Sequence, residues 1–225
     1  MDRHIGGQFP YAAWFWPAVA AASAIETTSA MATHFWELAR GAEAAPEPDG
    51  ATPNKIALEL HSVRLRDFTL VEGGVATLLC TPLALHGAVV ADLAAGHSLV
   101  AALRGAGIDR LFMADWRSAS ADMRFRGIDD YLADLNVLVD HLGGLVDLVG
   151  LCQGGWLSLL YAARFPAKVR KLVMAGAPID IAARLSGLSA IAAATPLSMF
   201  QSLVVSGNGR VIGRDAAKLW GTETR

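Results

Sequence analysis

The feature that most constrains the fold of this chain is a glycine-rich turn between a strand and a helix. Residues 145–151 form a mostly apolar run of strand length, as expected for a strand buried in a sheet. The turn at residues 150–155 reads GLCQGG, and helical spacing follows it as far as Phe165, where Pro166 ends the helix. Glycine allows a strand and a helix to approach closely, so the segment is predicted to form a tight strand–turn–helix unit.

The same alternation of strands and helices extends over residues 56–175. Predicted strands occupy residues 56–60, 63–65, 75–80, 111–114 and 169–175, and predicted helices occupy residues 98–104 and 129–142. Asp129 is the predicted N-cap of the second helix, and Gly143-Gly144 ends it. Strands separated by helices in this order indicate an α/β fold with a mostly parallel sheet, flanking helices and right-handed crossovers. In such a sheet the reactive groups lie beyond the carboxyl ends of the strands.

The chain divides by composition into three predicted parts. These are an N-terminal helical segment with a linker at residues 1–53, a partial α/β core at 54–185 and the start of a cap at 186–225. The stretch 5–25 contains no Asp, Glu, Lys or Arg, but Pro10 and Pro17 interrupt it, which makes it a weak membrane span. Two interpretations stay open: a helix that packs on this domain or a partner, and docking on a hydrophobic surface.

Composition excludes several classes of protein. Apolar residues make up 53% of the chain and charged residues 18%, which allows a sizeable buried core. A net charge of −2 with scattered Lys and Arg argues against a nucleic-acid surface. Two cysteines, Cys80 and Cys152, are too few for a disulfide framework or a structural metal site, and they favour a reducing, cytoplasmic setting.

Cys152 is the candidate nucleophile. The pattern G-x-C-x-G-G between a strand and a helix is that of a nucleophile elbow with cysteine in place of serine. In such a turn the thiol projects into a cleft, and the backbone N–H of Gln153 is placed to donate to an oxyanion. A buried cysteine in a glycine-rich turn is the structural alternative. Cys80 lies within an apolar strand and is predicted to be a core residue.

A second oxyanion donor is predicted in the loop that follows residues 75–80. This loop contains Leu85-His86-Gly87, and a loop at this place, often beside a His-Gly pair, supplies the second N–H in enzymes with such elbows. The backbone N–H of Leu85 or His86 is the candidate donor. His86 has two other interpretations, an ordinary loop histidine and a general base. The general base is disfavoured because His86 precedes the nucleophile, on a loop used for oxyanion stabilisation.

Residues 75–180 resemble polyhydroxyalkanoate synthases, which have an α/β-hydrolase fold. The matching segments are Ala91-Asp92-Leu93, Ser98-Leu99-Val100, Met113-Ala114-Asp115-Trp116-Arg117, Ile128-Asp129-Asp130-Tyr131 and the GLCQGG turn. Intracellular polyhydroxyalkanoate depolymerases resemble the same region, including Ala177-Pro178-Ile179-Asp180. The segment Gly154-Gly155-Trp156 is synthase-like and favours the synthases. The resemblance implies an α/β-hydrolase fold that is incomplete at the C-terminus of this sequence.

The resemblance to the synthases implies an acyltransferase. In that family a cysteine, here Cys152, takes a 3-hydroxyacyl group from coenzyme A as a thioester and passes it to a growing polyester. The first alternative is a polyester or thioester hydrolase of the depolymerase type, which passes the acyl group to water. The second is a non-catalytic homologue associated with a granule or a membrane. The implied partner is 3-hydroxyacyl-CoA or a polyester chain. The resemblance is also compatible with binding to a granule surface and with a homo-oligomer. No metal or further cofactor is expected.

The positions of the histidines leave the enzyme assignment open. The histidines are His4, His34, His61, His86, His97 and His141, and all of them precede Cys152. In this fold the triad histidine follows the nucleophile. We rank three explanations in this order: a fragment or truncated product, a partner subunit or inactive homologue, and a non-standard base such as His86. Asp180 is an alternative place for a triad acid, although a turn or helix cap is the favoured interpretation.

Overall fold

Strands and helices alternate along the residues that the computed structural model describes, which are 50–83, 87–180, 190 and 193–213. The strands are β1 (Lys55–Glu59), β2 (Val63–Asp67), β3 (Ala76–Cys80), β4 (Asp92–Ala94), β5 (His97–Ser98), β6 (Leu111–Trp116), β7 (Val146–Leu151) and β8 (Val169–Ala175). The helices are α1 (Leu99–Gly105), α2 (Ile128–His141), α3 (Gln153–Arg164) and α4 (Leu197–Ser206), with short 3-10 turns at Val89–Ala91, Ala121–Phe125 and Pro166–Lys168. The order follows the predicted strands and helices, and the small β4–β5 hairpin is an addition to it.

Six of these strands form one sheet in the order β1-β2-β6-β3-β7-β8. Strands β6, β3, β7 and β8 are parallel, whereas β2 runs antiparallel to both β1 and β6. The predicted α/β fold with a mostly parallel sheet is confirmed. From β3 the chain passes to β6 on one side, and from β7 it passes to β8 on the other. The neighbours β3 and β7 therefore flank the point where connections change direction, which is where open parallel sheets hold ligands.

Helices cover both faces of the sheet. On one face α2 and α3 pack against the strands through a core that includes Leu78, Cys80 and Tyr161. On the other face α1 packs over a second core that includes Leu79 and Met113. Consecutive residues of β3 alternate between the two cores because side chains in a strand point to opposite faces. The central strands β3, β6 and β7 are mostly apolar because both faces of the sheet are covered there.

The start of α2 differs from the prediction. Asp129 is the predicted N-cap, but the cap residue is Gly127, and Asp129 lies in the first turn of the helix. The carboxylate of Asp130 accepts a hydrogen bond from the Gly127 N–H at 2.7 Å, while Asp129 pairs with Arg164 of α3 at 2.6 Å. The prediction is wrong by two residues because an acidic side chain is favourable both at the cap and within the first turn.

Asp92 holds the segment before β1 against the β4–β5 hairpin. Its buried carboxylate accepts hydrogen bonds from the N–H and hydroxyl of Thr52, each at 2.8 Å, and from the Ser98 hydroxyl at 2.6 Å.

Residues 1–49 lie outside the described residues, so the predicted N-terminal helical segment, most of its linker and the three-part division stay predictions. Among the helices in the described ranges, none combines the length and the apolar character needed to cross a membrane.

A buried ion pair joins β2 to β6. Arg66 Nε donates to Asp115 Oδ2 at 2.7 Å, and the two side chains are only 5% and 4% exposed. Arg66 Nη1 also donates to Asn54 Oδ1 at 3.1 Å, which ties the segment before β1 to the same cluster. Arg64 Nη1 lies 3.9 Å from the same Asp115 oxygen, so Asp115 has one close, buried cation and one more distant cation. Removing Arg66 takes the close partner from a buried carboxylate, which is costly because little water can replace it.

Replacing Arg66 by methionine is expected to destabilise the fold by about 3 kcal/mol, because the Asp115 carboxylate loses its buried partner. The matched control is Arg164→Met, which removes the pair with Asp129, where the side chains are 57% and 81% exposed. That variant is expected to cost less than about 1 kcal/mol. Urea unfolding followed by circular dichroism measures both. Equal free energies of unfolding for the two variants would contradict the role assigned to the buried pair.

Candidate active site

Cys152 occupies the turn between β7 and α3 in a strained backbone conformation. Its φ and ψ angles are 52° and −120°, a region that residues with a side chain rarely occupy. The Cys152 N–H donates to the Ala175 carbonyl oxygen of β8 at 2.8 Å, and the Cys152 carbonyl accepts from the Gly155 N–H at 2.9 Å. The turn is therefore held between the sheet and the helix, with a cysteine side chain that is exposed to solvent.

Glycine is required on either side of the cysteine because the start of α3 lies against the ends of two strands. A Cβ on Gly154 would lie 2.7 Å from the Thr81 carbonyl oxygen and closer still to that of Cys80. A Cβ on Gly150 would lie 2.7 Å from the Gly155 nitrogen. Real Cβ atoms do not approach other atoms this closely, so a larger residue at either position forces the helix away from the sheet.

The turn lies where β3 and β7 end side by side. Cys80 and Gly150 are register partners at the carboxyl ends of these parallel strands. Residues 81–83 leave β3 at the same edge, where the buried hydroxyl of Thr81 donates to the Ala114 carbonyl oxygen at 2.8 Å. Cys152 and the segment that follows β3 thus meet at the point where the sheet changes the direction of its connections.

Gln153 is the first residue of α3, and its side chain reaches the segment that leaves β3. The Gln153 Oε1 accepts a hydrogen bond from the Leu83 N–H at 3.1 Å. The sequence predicts a role only for the backbone N–H of Gln153, and it misses this side-chain contact because the two residues are 70 positions apart. Leu85 and His86, the candidates for the second oxyanion donor, lie outside the described residues.

Three of the six histidines fall within the described ranges: His61, His97 and His141. His61 Nε2 lies 2.6 Å from Asp122 Oδ2, and both side chains are more than half exposed. Because β6 and β3 stand between β2 and β7, three strand spacings, or roughly 14 Å, separate the start of β2 from the end of β7. Within the described residues, no hydrogen bond or ion pair joins a histidine to Cys152.

The two cysteines lie in opposite environments. Cys80 ends β3 without exposed surface, and burial raises the pKa of its thiol to about 11. The prediction that Cys80 is a core residue is confirmed. Cys152 is exposed, so it is the thiol that a reagent in solution reaches.

Comparison with known proteins gives matches over parts of the chain. A family model described as the α/β-hydrolase fold matches residues 96–224. The poly(3-hydroxyalkanoate) polymerase subunit PhaC of Synechocystis sp. is 42% identical over 95 residues, which cover 40% of this chain and 25% of that protein. The PhaC subunit of Haloferax mediterranei is 30% identical over 132 residues, which cover 55% of this chain and 26% of that protein. The 2-hydroxy-6-oxo-2,4-heptadienoate hydrolase of Pseudomonas putida is 48% identical over 52 residues, which cover 23% of this chain and 19% of that protein. The chain therefore spans about a quarter of the length of the polymerase subunits that it matches.

Replacing Gly154 by alanine is expected to destabilise the fold by about 3 kcal/mol or more, because the added methyl group meets backbone carbonyl oxygens that cannot rotate away. The matched control is Gly105→Ala at the end of α1, where an added Cβ meets nothing within 4 Å. In a helix this change is neutral or stabilising by about 0.5–1 kcal/mol. Urea midpoints measure both variants. A Gly154→Ala protein as stable as the Gly105→Ala protein would contradict the close approach of α3 to β3.

Iodoacetamide at about pH 8 is expected to alkylate Cys152 and to leave Cys80 unmodified in the folded protein, because the thiolate is the reactive form and Cys80 is both buried and protonated. Intact mass counts the carbamidomethyl groups. Unfolding in guanidinium is expected to add the second group. The Cys152→Ala variant, which should take up no label when folded, is the control. Two labels on the folded wild-type protein would contradict the assignment of Cys80 to a closed core.

Proposed function

The chain belongs to the α/β-hydrolase fold family and is related over part of its length to poly(3-hydroxyalkanoate) polymerase subunits, and from this premise we propose that it is an acyltransferase that carries a 3-hydroxyacyl group on Cys152. The observation that carries the proposal is the exposed cysteine in a strained turn at the carboxyl edge of the sheet. Backbone strain of this kind persists only where the surrounding structure enforces it, and it clusters at active sites. Its surroundings, with glycines on both sides, are those of a nucleophile elbow.

In the first proposed step the Cys152 thiolate attacks the carbonyl carbon of the 3-hydroxyacyl thioester. A C–S bond forms to Cys152, the carbonyl electron pair moves onto oxygen, and collapse of this oxyanion expels coenzyme A as its thiolate. The backbone N–H of Gln153, at the start of α3, is the proposed first donor to the oxyanion. The backbone N–H of Leu85 or His86 is the proposed second donor.

In the second proposed step the acyl group passes from Cys152 to the hydroxyl at the end of a polyester chain. The hydroxyl oxygen attacks the thioester carbonyl, its proton leaves to a base, and the C–S bond breaks to regenerate the thiolate. A positioned general base accelerates such a step by about 10²–10⁴-fold. Within the described ranges no histidine contacts Cys152, and His86, the alternative base, lies outside them.

A hydrolase is the second candidate. It is supported by the match to a hydrolase of Pseudomonas putida and by the depolymerase-like segment Ala177-Pro178-Ile179-Asp180. Water then takes the place of the polyester hydroxyl, so the acyl-enzyme on Cys152 is common to both activities. For either activity we infer a cytoplasmic protein that works at the surface of a polymer granule, with 3-hydroxyacyl-CoA or the polyester chain as its substrate.

Incubation with a 3-hydroxyacyl-CoA is expected to add one acyl group to each chain, as read by intact mass. The adduct should be absent from Cys152→Ala and present in Cys80→Ala, which removes the other thiol from the core. Release of free 3-hydroxy acid from the labelled protein identifies the hydrolase, and growth of the adduct by further acyl units identifies the transferase.

Two outcomes would overturn the proposal. An adduct that persists in Cys152→Ala places the acyl group elsewhere on the chain. An unlabelled wild-type protein whose Cys152 still reacts with iodoacetamide has an accessible thiol that does not accept the acyl group. That second outcome favours a non-catalytic homologue associated with a granule or a membrane.

A further inference from the structure

The side chain of Gln153 connects the turn at Cys152 to the segment that follows β3. Gln153 follows the nucleophile and begins α3, whereas Leu83 belongs to the segment that leaves β3. The hydrogen bond from the Leu83 N–H to Gln153 Oε1, at 3.1 Å, joins them across the end of the sheet. Both residues are half-buried, so the bond is partly shielded from competing water.

The path of the segment after β3 is fixed at successive residues. The Thr81 hydroxyl is bonded to the Ala114 carbonyl oxygen, and Pro82 is buried, has a restricted φ angle and lacks an N–H. Leu83 carries the next N–H along the chain, and that N–H donates to Gln153. The direction in which the loop leaves the sheet therefore depends on a side chain of the helix that starts at the nucleophile.

We propose that Gln153 is a positioning residue, whose side chain holds residues 81–83, the described segment after β3, beside the turn at Cys152. The inference rests on the proposed acyl-carrier function, and it gives Gln153 two tasks: the backbone N–H donates to the oxyanion, and the side chain fixes the segment from which the chain continues to the proposed second donor. Oxyanion donors act only within about 2.7–3.1 Å of the charged oxygen, so a loop displaced by about 1 Å loses much of its effect. The Leu83 N–H is engaged by Gln153 and is not that second donor.

The variant that tests the proposal is Gln153→Met, which keeps the length of the side chain and removes the acceptor oxygen. Two reactions of the same thiol are compared. Acylation by p-nitrophenyl acetate passes through an oxyanion, whereas alkylation by iodoacetamide displaces iodide at a saturated carbon and forms none. The ratio of the two rates isolates the oxyanion, because a general disturbance of the turn or of the thiol changes both rates together.

Gln153→Met is expected to lower the ratio of acylation to alkylation by about tenfold or more. The control is Gln201→Met, the same change at an exposed position of α4, which should leave the ratio at the wild-type value. A ratio that is unchanged in Gln153→Met would overturn the proposal, and so would equal losses in both rates, which indicate a purely structural tether. The use of a simple ester also distinguishes this test from the test of the proposed function. If the wild-type protein reacts with p-nitrophenyl acetate but does not accept the acyl group of a 3-hydroxyacyl-CoA, the proposed substrate is wrong and the role of Gln153 is unaffected.

Discussion

The approach of Gly154 to the end of β3 is the constraint on which the rest of the site depends. The first turn of α3 lies against the carbonyl oxygens of Cys80 and Thr81 at a separation that leaves no room for a side chain. For a helix to start so close to a neighbouring strand, β7 has to turn sharply at its last residue, and Cys152 takes the strained conformation that results. Strain of this kind costs about 1–3 kcal/mol, and the hydrogen bonds of Cys152 to Ala175 and Gly155 offset part of it.

The same close approach of α3 to β3 gives the two cysteines different solvent exposure. Cys80 ends β3 and Cys152 directly follows β7, so both lie at the carboxyl edge of the sheet, where these two parallel strands are neighbours. The first faces the helix layer and is closed off by α3, where burial raises the pKa of its thiol to about 11. The second stands beyond the end of β7, where the turn exposes it. The contact between α3 and the sheet therefore determines which thiol can react. A thiol beneath α3 is closed to solvent, and only an accessible thiol that ionises reacts.

Much of the fold follows from local patterns in the sequence. The strands β3, β6 and β7 are predicted from mostly apolar runs, and the GLCQGG turn indicates the elbow because close packing there tolerates only glycine. The sequence predicts the cap of α2 two residues too late, because it does not distinguish a capping Asp from an Asp in the first turn. The sequence misses the contact between Gln153 and Leu83 for a different reason. It depends on β3 and β7 becoming neighbours, and that adjacency is a property of the whole sheet order rather than of either segment.

The proposed transfer makes two physical demands on the site. Forming an acyl-enzyme needs an accessible thiol and donors for an oxyanion, and the turn between β7 and α3 exposes Cys152 while close packing holds the start of α3 against the end of β3. Passing the acyl group onward needs a base that accepts the proton of an attacking hydroxyl, and no described histidine contacts Cys152. The paired His61 and Asp122 lie beside β2, three strand spacings away, where an imidazole is too distant to take that proton directly. Capture of the acyl group and its onward transfer therefore make separate physical demands: the first needs the exposed thiol of the turn at Cys152, and the second needs a base within reach of the attacking hydroxyl.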